Sequence, residues 1–149
     1  WLGGLGFTNP DNLALDQRGN LWIVTDRSLK SASGDVFGNN SCWLVPRDGG
    51  SALCFAIGPM ESEVTGVCLD QQETSLFLAV QHPGEVHGAL ASGAIEYQSH
   101  DLVDREGTTF QQLRQVPLGS NWPAQAPGRP PRPGVVAIRR CSGEPLLKA

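Results

Sequence analysis

The sequence lacks the short motifs that mark several common enzyme classes. It contains no GxSxG, P-loop, HExxH or GxGxxG pattern, so a serine hydrolase, a P-loop NTPase, a zincin and a dinucleotide-binding enzyme find no support. It has no run of 18 apolar residues and therefore no candidate transmembrane helix. No signal peptide is recognisable at its start.

Charged residues are also scarce. They make up 17% of the chain, below the usual quarter, and the formal net charge is −4. Because there is no basic stripe, nucleic-acid binding is disfavoured. An acidic protein that acts on an anionic substrate needs bound cations to offset its own field, so any activity on phosphate points to bound metal.

Cysteine is present but not in a metal-binding pattern. The four cysteines lie at positions 42, 54, 68 and 141 and include no CxxC pair, which argues against a zinc ribbon. Cys54 and Cys68 fall in apolar strand-like runs, so we expect small buried side chains there. A disulfide such as Cys42–Cys54 remains open.

Glycine and proline, by contrast, are abundant. The chain has 18 glycines and 11 prolines, about a fifth of its length, and 40% of its residues are apolar. This mixture is typical of an all-β protein with many turns. Runs rich in β-branched and aromatic residues predict strands over 12–16, 21–26, 42–46, 52–57, 64–70, 75–81 and 135–139. The region 82–133 is less regular, and a short helix is expected over 101–115.

An internal repeat indicates which all-β fold to expect. Residues 10–26 resemble residues 63–82, and Asp16 aligns with Asp70 at a spacing of 54 residues. Each copy consists of a strand, a turn led by aspartate and a more apolar strand. Propeller blades repeat at roughly 40–50 residues and are built of antiparallel strands. We therefore expect a partial β-propeller of two to three blades, with residues 1–149 forming the C-terminal part of a single domain.

Oxygen-bearing side chains stand where the strands of this repeat begin. Asp11 and Asn12 open the first strand, and Glu63 falls within one position of Pro10 and Asp11 in the second copy. Carboxylate and carboxamide oxygens are the hard ligands that Ca²⁺ requires. The structural alternatives are an Asx turn at the first strand and exposed acids on a loop at Glu63. His82 ends a strand and could bind metal or a phosphate oxygen, or serve only as a hydrogen-bonding group.

The order of these motifs resembles a known family. The chain reads Phe-x-x-Pro-Asp-Asn-Leu-Ala-x-Asp, then Gly-Asn-Leu-Trp-Ile-x-Thr-Asp, Gly-Pro-x-x-x-Glu-Val-Thr-Gly, Leu-Phe-x-x-x-Gln-His-Pro-Gly-Glu, and finally Asn-Trp-Pro and Arg-Pro. This series is similar to the C-terminal part of the PhoX alkaline phosphatases. Because the chain starts at Trp1 without an initiator methionine, we expect it to be an internal fragment of such a protein.

The resemblance implies a metal-dependent β-propeller enzyme that hydrolyses small phosphate monoesters with a cluster of Ca²⁺ and Fe³⁺ ions. It implies metal ligation by Asp11, Asn12, Glu63 and Glu85 and substrate binding by His82, with no catalytic residue in this chain. It also implies a location in the periplasm or outside the cell, reached by the twin-arginine route. We further expect a monomer with no nucleic-acid or membrane partner.

The chain also departs from the family. The Arg-Pro-Glu-Trp motif and the cysteine expected to hold iron are absent, and residues 87–118 match no motif of the family. Two alternatives therefore stay open: a non-catalytic propeller that serves as a scaffold or binding module, and a lactonase-like metal-dependent propeller hydrolase. The first would keep the motifs as blade structure.

Overall fold

The computed structural model describes residues 6–27, 39–84, 95–104, 106–117, 120–125 and 129–147. These residues form nine strands and no helix, which confirms the all-β class. The strands are β1 (Pro10–Leu15), β2 (Leu21–Thr25), β3 (Ser41–Val45), β4 (Leu53–Ile57), β5 (Glu63–Leu69), β6 (Ser75–Gln81), β7 (Ile95–Val103), β8 (Thr109–Pro117) and β9 (Gly134–Arg139). In the described ranges, nothing has the helical length and apolarity needed to cross a membrane.

The strands form three antiparallel sheets. The first sheet has the order β1-β2-β3-β4, and the second sheet has the order β5-β6-β9. Strands β7 and β8 pair with each other as a hairpin. Every strand of the first sheet pairs with its neighbour along the chain, as in a propeller blade. In the second sheet, β6 pairs with β9, and the β7–β8 hairpin lies between these two strands in the sequence.

The helix expected over 101–115 is wrong, because this region is the β7–β8 hairpin. The turn explains the difference. Asp104 Oδ1 accepts hydrogen bonds from the backbone N of Glu106 and of Thr108, at 3.0 and 2.7 Å. Gly107 takes a φ of 87°, which lies in the left-handed region that favours glycine. An aspartate followed three positions later by glycine is a turn signal, and it outweighs the weak helical pattern.

The 54-residue repeat is confirmed in three dimensions. Asp16 Oδ1 accepts from the backbone N of Asn20 at 2.8 Å, and Asp70 Oδ1 accepts from the backbone N of Thr74 at 2.7 Å. Both strand pairs are antiparallel, and each contains one bulge, near Asn12 in β1 and near Gly66 in β5. The same aspartate-led turn therefore closes β1–β2 and β5–β6.

Hydrogen bonds also set the acidity of these two aspartates. Burial raises the pKa of Asp16, but hydrogen bonds from Asn20, Trp22 and Arg18 outweigh that effect and hold its pKa below the ordinary value of 3.8. At Asp70, hydrogen bonds from Thr74 and Ser75 lower the pKa. Both carboxylates are therefore ionised at neutral pH and close their turns as charged acceptors.

One apolar core joins the first and second sheets. Its buried members are Trp22, Val24, Cys42, Leu44, Val64, Val67, Leu76, Leu78 and Leu146. Trp22 is fully buried and meets Phe55 edge to face, with ring centroids 4.8 Å apart. Burial of each large apolar side chain contributes about 1.5–3 kcal/mol relative to exposure. This shared core makes the two sheets one packed unit.

The cysteines differ in their burial. Cys42 is fully buried between the sheets, whereas Cys54 and Cys68 are exposed, so the expectation that both are buried is wrong. Cys54 lies on β4, which forms the edge of its sheet, and Cys68 lies on the exposed face of β5. All four cysteines are free thiols. Burial raises the pKa of the Cys42 thiol to about 12.

Candidate functional site

The predicted ligands belong to one end of the two packed sheets. The register pairs Pro10 at the start of β1 with Thr25 at the end of β2. In the same way it pairs Glu63 at the start of β5 with Gln81 at the end of β6. We call this end, defined by the starts of β1 and β5 and the ends of β2 and β6, the ligand edge.

Asn12 ties the two sheets together at the ligand edge. Its Oδ1 accepts hydrogen bonds from Gly66 N, at 2.8 Å, and from the hydroxyl of Thr65. Gly66 has a φ of 60° and forms part of the β5 bulge, which turns its N–H out of the strand ladder. The carboxamide oxygen that could ligate a cation is therefore already engaged by two donors in this structure.

The two predicted carboxylate ligands lie close to this tie in sequence. Asp11 directly precedes Asn12, and Glu63 stands two residues before Thr65, so each is next to the contact in sequence. The structural repeat aligns position 12 with position 66, which are 54 residues apart. Asp11 consequently aligns with Thr65 rather than with Glu63, and the two carboxylates are offset by two residues along their strands.

The side-chain amide of Gln81 contacts both Glu63 and His82. Gln81 Nε2 lies 2.8 Å from Glu63 Oε2 and 2.9 Å from His82 Nε2. An amide nitrogen carries two hydrogens, so it can donate to both, and His82 then accepts at Nε2. His82 is exposed and has a φ of 50°, which bends the chain directly after β6. Gln81 thus orients the carboxylate and the imidazole relative to each other.

The remaining predicted ligands are less constrained. Asp11 is exposed on β1. Glu85 lies outside the described residues. Within the part of the chain that the structure describes, no three His, Cys, Asp or Glu side chains come together as a metal-binding group. The carboxylate oxygens of Asp11 and Glu63 are the type of ligand that a hard cation prefers. The described residues, however, supply only part of a coordination sphere.

A second set of polar residues at this edge was not predicted from the sequence. The Oδ1 of Asn40 accepts from the Thr25 hydroxyl at 3.1 Å and from Arg27 N at 2.6 Å. Its Nδ2 donates to Ser62 O at 2.9 Å, which links the first sheet to the loop before β5. All four residues are buried. The sequence signal was the Asn39–Asn40 pair directly before β3, where side chains commonly bond to the backbone.

The sheets, the repeat and the inter-sheet contacts define the class of the chain as part of a β-propeller. Residues 3–84, more than half of the chain, match the family described as alkaline phosphatase PhoX. The chain belongs to this PhoX alkaline phosphatase family.

A solved structure supports the same assignment. The chain is similar to Pseudomonas fluorescens PhoX in complex with vanadate, a transition state analogue, with a TM-score of 0.64 and 30% sequence identity. The similarity covers 92% of this chain and 18% of that chain, so the chain spans about a fifth of the length of that protein. No curated protein matches the chain.

Proposed function

We propose that the complete protein hydrolyses phosphate monoesters and that this chain supplies part of its metal site through Asp11 and Glu63. The observation that carries the proposal is the tie between Asn12 and Gly66, which holds the starts of β1 and β5 together inside the family match. The likeness to a PhoX bound to vanadate supports a small phosphoester as the substrate.

The cations that we propose are Ca²⁺ and Fe³⁺. When bound, they would neutralise the negative charge that develops on the phosphate oxygens in the transition state. Asp11 and Glu63 would hold cations and transfer no proton. Gln81 would fix the rotamer of Glu63 through its hydrogen bond. His82, whose ring reaches solvent, would bind a phosphate oxygen.

Further proposals are a ligand role for Glu85 and a ligand role for Asn12 in which the cation would replace one of the two donors on its Oδ1. A single propeller domain, a monomeric state and export to the periplasm or the outside of the cell are also proposals. Export is tested by locating the complete protein after cell fractionation. Recovery of the protein with the cytoplasm alone would contradict it.

The decisive test is Glu63→Gln in the complete protein. Glutamine keeps the shape and one oxygen but loses the charge, and cation affinity depends on the number of charged ligands. We expect a severe loss of phosphatase activity and of bound metal at an almost unchanged melting temperature. Glu106→Gln, at an exposed position on the β7–β8 turn, is the matched control and should leave all three unchanged.

A structural role for Glu63 is the rival explanation, because its carboxylate already accepts a hydrogen bond from Gln81. Under that explanation Glu63→Gln changes stability by about 0.5–1.5 kcal/mol, the net value of one hydrogen bond, and leaves metal content and kcat at wild-type levels. That result would favour the non-catalytic scaffold for this part of the chain.

A further inference from the structure

Arg27 is a buried cation without a full set of partners. It follows the end of β2, and only 9% of its surface is exposed. Its backbone N donates to Asn40 Oδ1 at 2.6 Å, which fixes the main chain. Its side-chain Nε is buried and has no hydrogen-bond partner, and it is the only such buried side-chain atom among the described residues.

Among the described residues, the side chains that line the space beside Arg27 carry no charge. A small cavity of about 10 Å³ adjoins the side chain and is lined by Phe7, Thr8, Thr25, Asn39, Asn40 and Ser41. None of these side chains can become an anion at neutral pH. No described residue that lines the cavity supplies a counter-charge, and a buried cation without one is costly, so an anion suits this position.

The size and donors of the cavity indicate what kind of anion fits. A volume of about 10 Å³ holds one atom of the size of a water oxygen. Asn39 Nδ2 uses one of its two hydrogens for Gly58 O, at 3.3 Å, and keeps the other. Arg27 and Asn39 both line this cavity, so Nε–H and the second amide hydrogen are the donors available to an anionic oxygen there.

We propose that Arg27 forms a binding site for one oxygen of a small oxyanion, which a phosphoryl or a carboxylate group could supply. One oxygen enters the cavity beside Nε, and the rest of the group stays at the mouth. The site uses neither Asp11 nor Glu63, so it does not depend on the metal-ligand roles proposed above.

The test follows the Arg27 Nε–H resonance in ¹⁵N-labelled protein during a titration with inorganic phosphate. Sodium chloride keeps the ionic strength constant, and a parallel titration uses acetate as the carboxylate source. The variants are Arg27→Met, which keeps the aliphatic stem, Arg27→Lys, which keeps the charge, and Arg129→Met, which removes an exposed arginine. Melting temperatures are measured with and without phosphate.

We expect a saturable shift of the Arg27 resonance with phosphate and a rise in melting temperature. Arg27→Met should weaken phosphate binding roughly tenfold or more, as for loss of a charged hydrogen bond, and Arg129→Met should leave it unchanged. If Arg27→Met does not fold, Arg27→Lys provides the comparison, with weaker binding expected because lysine lacks the Nε–H donor. A response to acetate alone would assign the site to a carboxylate.

Two results would overturn the proposal. One is a resonance and a melting temperature that respond to neither phosphate nor acetate, which would show that the chain neutralises Arg27 by itself. The other is phosphate binding that is equally strong in wild type, Arg27→Met and Arg27→Lys. If the isolated chain is not folded, the same melting and binding series in the complete protein gives the answer.

Discussion

Replacing Asp16 by alanine removes the carboxylate that accepts four hydrogen bonds. Its two carboxylate oxygens accept from the backbone N of Arg18 at 3.0 Å, the backbone N and Nδ2 of Asn20, both at 2.8 Å, and the indole Nε1 of Trp22 at 3.2 Å. Asp16 is 7% exposed and Trp22 is fully buried. Water can reach the turn after the substitution but not the indole.

The access of water to each hydrogen-bond donor determines how much Asp16→Ala lowers the free energy of unfolding. The buried indole N–H would be left without a partner, at a cost of about 1–3 kcal/mol. The three donors in the turn can bond to water instead, so together they add roughly 1–2 kcal/mol. We therefore expect Asp16→Ala to lower the free energy of unfolding by about 2–5 kcal/mol. For a folded unit of the size of this chain, the melting temperature should fall by roughly 5–15 °C.

The repeat supplies a matched control. Asp70 closes the equivalent turn with hydrogen bonds from Thr74 and Ser75, but the residue that corresponds to Trp22 is Leu76, whose side chain has no donor. Asp70→Ala should therefore destabilise the protein less than Asp16→Ala. Urea unfolding at pH 7, followed by tryptophan fluorescence and circular dichroism, measures both. Equal effects of the two substitutions would refute the argument from the buried indole.

Acid pH provides a second check on the same carboxylate. The pKa of Asp16 is lower in the folded protein than its ordinary value of 3.8. Its ionised form therefore stabilises the fold above about pH 4, and this contribution is lost as the pH falls through the folded pKa. The difference in stability between wild type and Asp16→Ala should narrow below pH 4. A difference that stays constant down to pH 2 would contradict the lowered pKa.

Two further predictions concern packing between the sheets. Gly58→Ala would place a Cβ 2.4 Å from a methyl carbon of Val64, so it should lower the free energy of unfolding in urea by about 1–3 kcal/mol. Gly50→Ala is the control, because the nearest contact of its Cβ would be 3.4 Å away and the free energy of unfolding should change little. Cys42, buried and with a pKa of about 12, should react with a thiol reagent only on unfolding, unlike the three exposed cysteines; labelling of all four thiols in the native protein would contradict the described core.

Most of the first two sheets could be predicted from the sequence. The seven predicted strands agree with β1 to β6 and β9 to within two residues at each end, because alternating apolar residues and turn residues are local signals. The β7–β8 hairpin was missed because its strands carry few such residues and its turn signal, the Asp104 to Gly107 segment, was not used. Cys54 and Cys68 were misplaced because exposure on an edge strand depends on the partner sheet.

The ligand edge was predictable only in part. The repeat drew attention to the starts of β1 and β5, where Asp11 and Glu63 lie. It did not reveal that the Asn12 oxygen bonds to Gly66, because this contact needs a bulge and a positive φ that sequence alone does not fix. Arg27 could not be predicted either. Arginine is rarely buried, and the backbone of Arg27 is held here by Asn40, which approaches from the start of another strand.

The hydrogen bonds between the sheets explain why the ligand edge has a defined geometry. Apolar packing through the shared core would tolerate small shifts of one sheet against the other, because the hydrophobic effect is not directional. Hydrogen bonds between positions 54 residues apart remove that freedom at two places. Asn12 bonds to Gly66 at the ligand edge, and Gln17 Nε2 bonds to Gln71 O, at 2.6 Å, beside the aspartate-led turns. Equivalent positions of the repeat therefore meet directly at both ends of the strands, and this double contact fixes the register of β1 against β5.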